Sequence, residues 1–401
     1  MKHAIFTQLG SAGIAIAQVA FMKLRKKGVR LTAVVRVKDD YSKYYGKGAI
    51  PVIGAGFDFY HMYFKDIPYR TLLKMDFPDN VLPVCVYTNE KILREYLDAA
   101  DIIICCRGLT GLSDLLDMMH QYVDSNKTIY LNENDYSPLD HFKKIHGKKL
   151  RLKFICCMID RVCKRIDYLD DKIVANADQT FSMIINEPEN QSIIAASEDK
   201  WPNIRFMSNE GDFMTMWEKK RLTVNYPHFY LALLAFDKAL EKGINVEYET
   251  DIRLFLDDNI VKDINTLAAM LFGFWYLNNV EILKEMYNGT DVELSALKEF
   301  FSYYEQSMKR IFRTEDSIQR ILKIDQTEAF KRKCDLMMDK KLFAISNYLM
   351  VPEEINDMLN NAGLNIQVDM DRLPRVQKNL QRITAGILKN CKQDSPPRNG
   401  I

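Results

Sequence analysis

Net charge is all but absent. The 401 residues carry 55 Lys and Arg against 54 Asp and Glu, leaving +1 at pH 7. Such a balance gives no field to draw in nucleic acid or a membrane surface. Long apolar runs are also missing, since no stretch approaches the roughly 20 residues needed to span a bilayer. The eight cysteines are Cys85, Cys105, Cys106, Cys156, Cys157, Cys163, Cys334 and Cys391. They form no CxxC pair and no Cys/His spacing that suits zinc. Most lie in apolar runs such as DIIICC and FICCMI, as buried reduced thiols of a cytoplasmic protein do. There is no internal repeat and no low-complexity segment. MKHAIFTQLGSAGIAIAQVAF imitates a signal peptide, but Gln8, Ser11 and Gln18 interrupt it. It parses as strand, turn and helix instead.

What is present is a globular composition, 47% hydrophobic and 27% charged, in a chain long enough for two or three domains. The first half alternates apolar runs with helical stretches. HAIFTQL, LTAVVRV, DIIICC and KTIYLN read as strands. GIAIAQVAFMKLRKKG, EKILREYLDAA and GLSDLLDMMHQYVDS read as helices, the first ending at Gly28. Strands apolar throughout and separated by helices predict a parallel sheet covered on both faces. Residues 41 to 84 read as an irregular insertion. DKIVANA and FSMIINE are later strand-like runs. From about Met216 helix-period stretches take over, and CKQDSPPRNGI reads as a frayed tail. The expected fold class is α/β: a Rossmann-type dinucleotide-binding domain over residues 1–216, then a mostly α-helical substrate domain over 217–401.

QLGSAG sits where the first strand meets the first helix. A dinucleotide fold places a glycine-rich turn there, so that the backbone approaches the pyrophosphate at a helix N-terminus. Gly10 and Gly13 have the spacing of the last two glycines of GxGxxG, and Gln8 replaces the first. Gly10, Ser11, Ala12, Gly13 and Gly108 are the candidate cofactor contacts. The second strand ends VVRVKDD, without the early acidic residue of an NAD site. Arg36 and Lys38 suit a 2′-phosphate, so NADP is favoured over NAD; a solvated loop is the plainer explanation. VIGAGF, Val52 to Phe57, reads as a turn.

EKKRLTVNYPHFYLALLAF, residues 218–236, places polar groups at the mouth of an apolar helix. Lys220 precedes Asn225 by five residues and His228 by eight, roughly one helix face, with Pro227 tolerated in a first helical turn. A lysine at a positive helix end should have a lowered pKa and serve as a general base. An asparagine amide donates to an alkoxide-like oxygen, and a histidine orients the lysine or the substrate hydroxyl. The structural alternative is a snorkelling lysine, an N-cap asparagine and a satisfied histidine.

This cluster resembles the K-x4-N-x2-H signature of the polyol-specific long-chain dehydrogenases, the mannitol dehydrogenase and mannitol-1-phosphate 5-dehydrogenase family. YLNENDY, Tyr130 to Tyr136, looks like the family's CEN segment, and FICCMIDRV is similar to its VDRI segment through Asp160 and Arg161. RIFRTEDSIQRILKIDQTEAFKRKC resembles a C-terminal stretch carrying Asp316, Arg320, Arg332 and Lys333. The resemblance implies a zinc-independent NAD- or NADP-dependent oxidoreductase with a Rossmann-type domain, a helical domain and the site between them. It makes Lys220 the general acid/base and gives the reacting oxygen to Asn134 and Asn225. His228 positions substrate or lysine, and Glu133 assists proton transfer. The implied partner is a small polyol or ketose. Arg320, Arg332, Lys333, Arg372 and Arg375 are cations able to grip a phosphate on it, and the compact length resembles the phosphate-using branch. A uronate reductase of the same superfamily and a non-catalytic Rossmann-fold binding module are the alternatives. A 6-phosphogluconate-type decarboxylating enzyme suits the Lys-to-Asn spacing less well.

Overall fold

The computed structural model describes residues 2–10, 13–14, 22–36, 39–54, 60–65, 68–72, 74–122, 127–132, 137–146, 152–160, 163–177, 182–192, 204–247, 250–287, 295, 312, 316–322, 330–331, 334 and 369–393. They fall into two compact units, Met1–Phe213 and Met214–Ile401.

The first unit is built on twelve strands: β1 (His3–Phe6), β2 (Arg30–Arg36), β3 (Ala49–Gly54), β4 (Tyr60–Lys65), β5 (Val81–Tyr87), β6 (Ile102–Cys105), β7 (Lys127–Leu131), β8 (Leu152–Asp160), β9 (Cys163–Tyr168), β10 (Ile173–Ala177), β11 (Ser182–Ile185) and β12 (Ile204–Phe206). Their order in the sheet is β12-β11-β8-β7-β6-β1-β2-β5-β4-β3-β10-β9. The central six, β5-β2-β1-β6-β7-β8, are mutually parallel. Taken in chain order they give 3-2-1-4-5-6, the doubly wound Rossmann arrangement. Among the described residues, helices of ten or more residues that accompany these strands are α1 (Glu90–Ala99), α2 (Gly108–Tyr122) and α3 (Ser137–His146). Every residue of β1, β5 and β6 is buried, as strands covered on both faces require.

Local chemistry sets the joints. Asn89 caps α1 by accepting from the Lys91 N–H. The ammonium of buried Lys127, at the start of β7, donates to the carbonyls of Asp98 and Ala100. It thereby satisfies acceptors left open at the C-terminal end of α1. Gly28 has φ +72° and ends the 3-10 turn Met22–Lys27, as expected for that glycine.

Residues 41–84 are not an irregular insertion. The start of β5, Val81–Val84, lies there with β3 and β4, and these strands extend the sheet beyond β2. Pro83 disguises β5, because proline argues against a central strand. Pairing to β2 begins only at Val84, so on that side Pro83 precedes the ladder. VIGAGF is likewise no simple turn: Val52, Ile53 and Gly54 belong to β3, which pairs with β4 and β10. Residues 55–59 lie outside the described set. FICCMI is the middle of β8.

The second unit is helical among its described residues: α4 (Glu210–Lys220, begun in the first unit), α5 (Tyr226–Glu241), α6 (Asp258–Met286), α7 (Ile318–Leu322) and α8 (Leu373–Gln393). Its single described extended pairing is the isolated bridge Asp251↔Ser317. Asp257 caps α6 through the Ile260 N–H at 2.8 Å. The Trp275 indole on α6 donates to the Thr215 carbonyl at 2.8 Å, pinning α4 against it. No described helix is long and apolar enough to cross a membrane. Cys85, Cys105, Cys106, Cys157 and Cys334 are buried thiols, and Cys156 is half-buried.

Candidate functional site

The chain order reverses direction across the sheet between β1 and β6. In this fold ligands bind outside the carboxyl ends of the strands at that point. Thr7 continues β1 by donating to the Ile104 carbonyl at 3.1 Å, and the Ile14 N–H then closes a helical turn onto the Gly10 carbonyl at 2.9 Å. A Cβ on Gly13 would lie 2.8 Å from the Gln8 carbonyl oxygen and 3.4 Å from Cys106 Cβ. Gly13 is therefore the residue that lets helix and strand approach closely. A Cβ on Gly10 would meet nothing within 4 Å, so packing does not demand a glycine there. Gly108 opens α2 immediately beyond β6, on the same side of the sheet. Arg36 ends β2 and is exposed. Ser11, Ala12, Lys38, Glu133 and Asn134 lie outside the described residues.

In the second unit, the helix does not begin near Asn225. α4 runs into a π-helical turn, Arg221–Asn225, which runs into α5. Lys220 and Asn225 both have right-handed helical dihedrals, and Asn225 makes no capping hydrogen bond. The N-cap explanation of Asn225 is thus overturned. So is the positive helix end expected to act on Lys220, which lies inside a continuous helical run. Its burial is plain, with 8% of its surface exposed. Neighbouring Lys219 is also buried, its ammonium 5.6 Å from the Trp275 ring centroid. Arg221 lies over the rings of Trp217 and Tyr226.

His228, on the first turn of α5, comes to a buried carboxylate. Its Nε2 lies 3.3 Å from Asp316 Oδ2. Arg320 grips Asp316 with both arms, Nε donating to Oδ1 at 2.6 Å and Nη2 to Oδ2. The Ser317 N–H donates to the same carboxylate at 2.8 Å. Burial alone would push the Asp316 carboxyl upward. The Arg320 hydrogen bonds and the adjacent His228 ring outweigh it and hold the group well below the usual carboxylate range. Asp316 and Arg320 fall in one stretch of the sequence, but the meeting of Asp316 with His228 is not apparent there. Nothing in a linear spacing of nearly ninety residues signals that contact.

The arginines assigned to a phosphate are occupied where they are described. Arg320 is bound to Asp316. Arg372 and Arg375 both reach buried Asp263, at 2.8 and 3.2 Å. Arg332 and Lys333 lie outside the described residues.

The sequence matches no protein-family model. It matches no curated protein either. Among solved structures it is similar to a PanE/ApbA family ketopantoate reductase from Ralstonia eutropha JMP134, at 10% identity and a TM-score of 0.48, covering 97% of this chain and 99% of that one. It is also similar to an octopine dehydrogenase in complex with NADH and agmatine, at 11% identity and a TM-score of 0.49, covering 96% and 90%. A D-mandelate dehydrogenase with NADH gives 11% identity and a TM-score of 0.43, covering 98% and 99%. Likenesses this distant bear on neither activity nor substrate, and the α/β assignment rests on the strand order itself.

Proposed function

We propose that this chain is an NAD(P)-dependent oxidoreductase that interconverts a sugar alcohol, free or phosphorylated, with the matching ketose. The observation that carries the reading is the set Lys220, Asn225 and His228 on one helical run, with His228 held by a buried, arginine-braced carboxylate. In this reading Lys220 removes the proton from a secondary alcohol. Asn225 donates to the oxygen as it gains charge. His228 orients the hydroxyl. The nicotinamide, when bound, accepts the hydride from the same carbon. Gly10 and Gly13 form the turn for its pyrophosphate, and Arg36, exposed at the end of β2, favours a 2′-phosphate.

The test is NAD(P)H consumption with fructose 6-phosphate, fructose, other ketoses and uronates, with Lys220→Ala in parallel. Turnover on ketoses that collapses in the variant supports the reading. Turnover on uronates alone moves the chain to the reductase alternative. Dinucleotide binding without turnover on any of them favours a binding module. Arg36→Ala should lower the NADPH-over-NADH ratio of kcat/KM by about tenfold, the worth of one hydrogen bond to a charged group. An unchanged ratio would release Arg36 from that role.

A further inference from the structure

The spacing of Lys220, Asn225 and His228 does not suit an ordinary helix. At about 100° per residue, steps of five and eight put Asn225 about 140° and His228 about 80° away from Lys220. Three side chains so spread could not converge on one small molecule. The π turn alters this arithmetic. In it the Tyr226 N–H bonds to the Arg221 carbonyl, five residues back instead of four. One residue is thereby absorbed without advancing the helix face. Steps of five and eight act as four and seven, so Asn225 falls about 40° to one side of Lys220 and His228 about 20° to the other.

The cause of the slip is visible. Pro227 has no N–H to continue the ladder, and its ring crowds the carbonyl four residues back. Thr223, at that position and fully buried, turns its hydroxyl onto the Lys219 carbonyl at 2.7 Å. In an unbroken α-helix that carbonyl belongs to the Thr223 N–H. Side-chain competition of this kind loosens a turn, and the proline downstream prevents it from closing again.

We propose that this π turn is a positioning device: held by Thr223 and Pro227, it gathers Lys220, Asn225 and His228 into a single stripe that acts as one unit. The functional half of the inference rests on the oxidoreductase reading, and the geometric half does not. It also accounts for a motif whose letters are spaced five and three apart. Those spacings describe one face only when the helix between the first two contains an extra residue.

Two measurements on the full chain separate the halves. Histidines on one helix face chelate zinc. Lys220→His/Asn225→His should therefore bind Zn²⁺ at least an order of magnitude tighter than Asn225→His alone, read by calorimetry and by a zinc-dependent rise in Tm. Equal affinities would overturn the stripe, whatever the enzyme does. The second is deletion of Thr223 combined with Pro227→Ala. It removes the extra residue and the cause of the slip together, so an ordinary α-helix then carries the three groups at true steps of four and seven. Ketose reduction should persist at a level comparable to wild type. A variant that folds, by circular dichroism and melting, yet is inactive while wild type turns over would sink the positioning role. If wild type fails to turn over any ketose, the oxidoreductase reading falls, and the zinc measurement still decides the stripe.

Discussion

The two units hide their polar groups in different places. In the first unit the buried charged residues sit at strand margins: Lys127 is the first residue of β7, and Glu187 lies just past β11. The interiors of the central strands are largely apolar, and buried Thr32 inside β2 is satisfied by His3. In the second unit Lys219 and Lys220 enter the π turn and Asp263 lies inside α6, while Asp316 sits just before α7. Charges at margins punctuate a sheet and can be satisfied by neighbouring carbonyls, as Lys127 is. Charges inside helices have their own backbone already paired. They need partners from elsewhere in the fold or a task of their own.

Lys220→Ala should break this contrast most sharply. Loss of a general base typically forfeits about 10²–10⁴-fold in kcat. Near-normal turnover would return Lys220 to a structural role like that of Lys127. Next in size is Asp316→Ala, which strands Arg320 and His228 beside a vacated buried site. Breaking such a pair costs about 3–5 kcal/mol. Urea unfolding followed by tryptophan fluorescence, Trp217 and Trp275 both lying in the helical unit, measures it, and a loss under about 1 kcal/mol would make the braced carboxylate dispensable.

Acid should take the two units apart in order. Burial lowers the His3 pKa to about 4, against 6.5 for a free histidine. Its ring is held neutral between Tyr69 and Thr32, each at 3.1 Å. The unfolded chain therefore binds the proton more readily. The stability this gives is fully present above about pH 6.5 and lost as pH falls to about 4, some 3 kcal/mol in all. Asp316 is depressed instead, so its contribution is complete above about pH 4 and lost only below that. Melting curves from pH 7 to 3 should show the sheet unit weakening first, and His3→Asn should flatten that early loss. Simultaneous weakening of both units would contradict the assignment. The smallest effect is expected for Gly13→Ala. Relieving its 2.8 Å approach to the Gln8 carbonyl costs about 1–3 kcal/mol, with weaker NADPH binding in a fluorescence titration.

These differences also explain what was legible in the sequence. HAIF, VVRV, DIIICC and KTIYL announce themselves because a strand buried on both faces must be apolar throughout. β5 was masked by Pro83, and β3 by glycines that resemble a turn. The edge strand β9, CKRIDY, carries too mixed a pattern to stand out. In the helical unit the polar letters of the site could be read, but not their geometry. A π turn leaves no period of its own in the sequence, only a proline with a threonine four residues before it. The meeting of His228 with Asp316 is a tertiary contact, which no local pattern encodes.

The outer strands carry a consequence for how the protein is made. β3 pairs with β10 in parallel, Val52 beside Ile173, so about 120 residues separate two neighbours in the sheet. At a synthesis rate of roughly 5–20 residues per second, that edge of β3 waits on the order of 6 to 24 seconds for its partner to be made. For that interval the nascent sheet exposes an unsatisfied strand edge, open to any other extended chain nearby. The distal strands should therefore be where a slow ribosome, a crowded polysome or a missing chaperone first shows as aggregation.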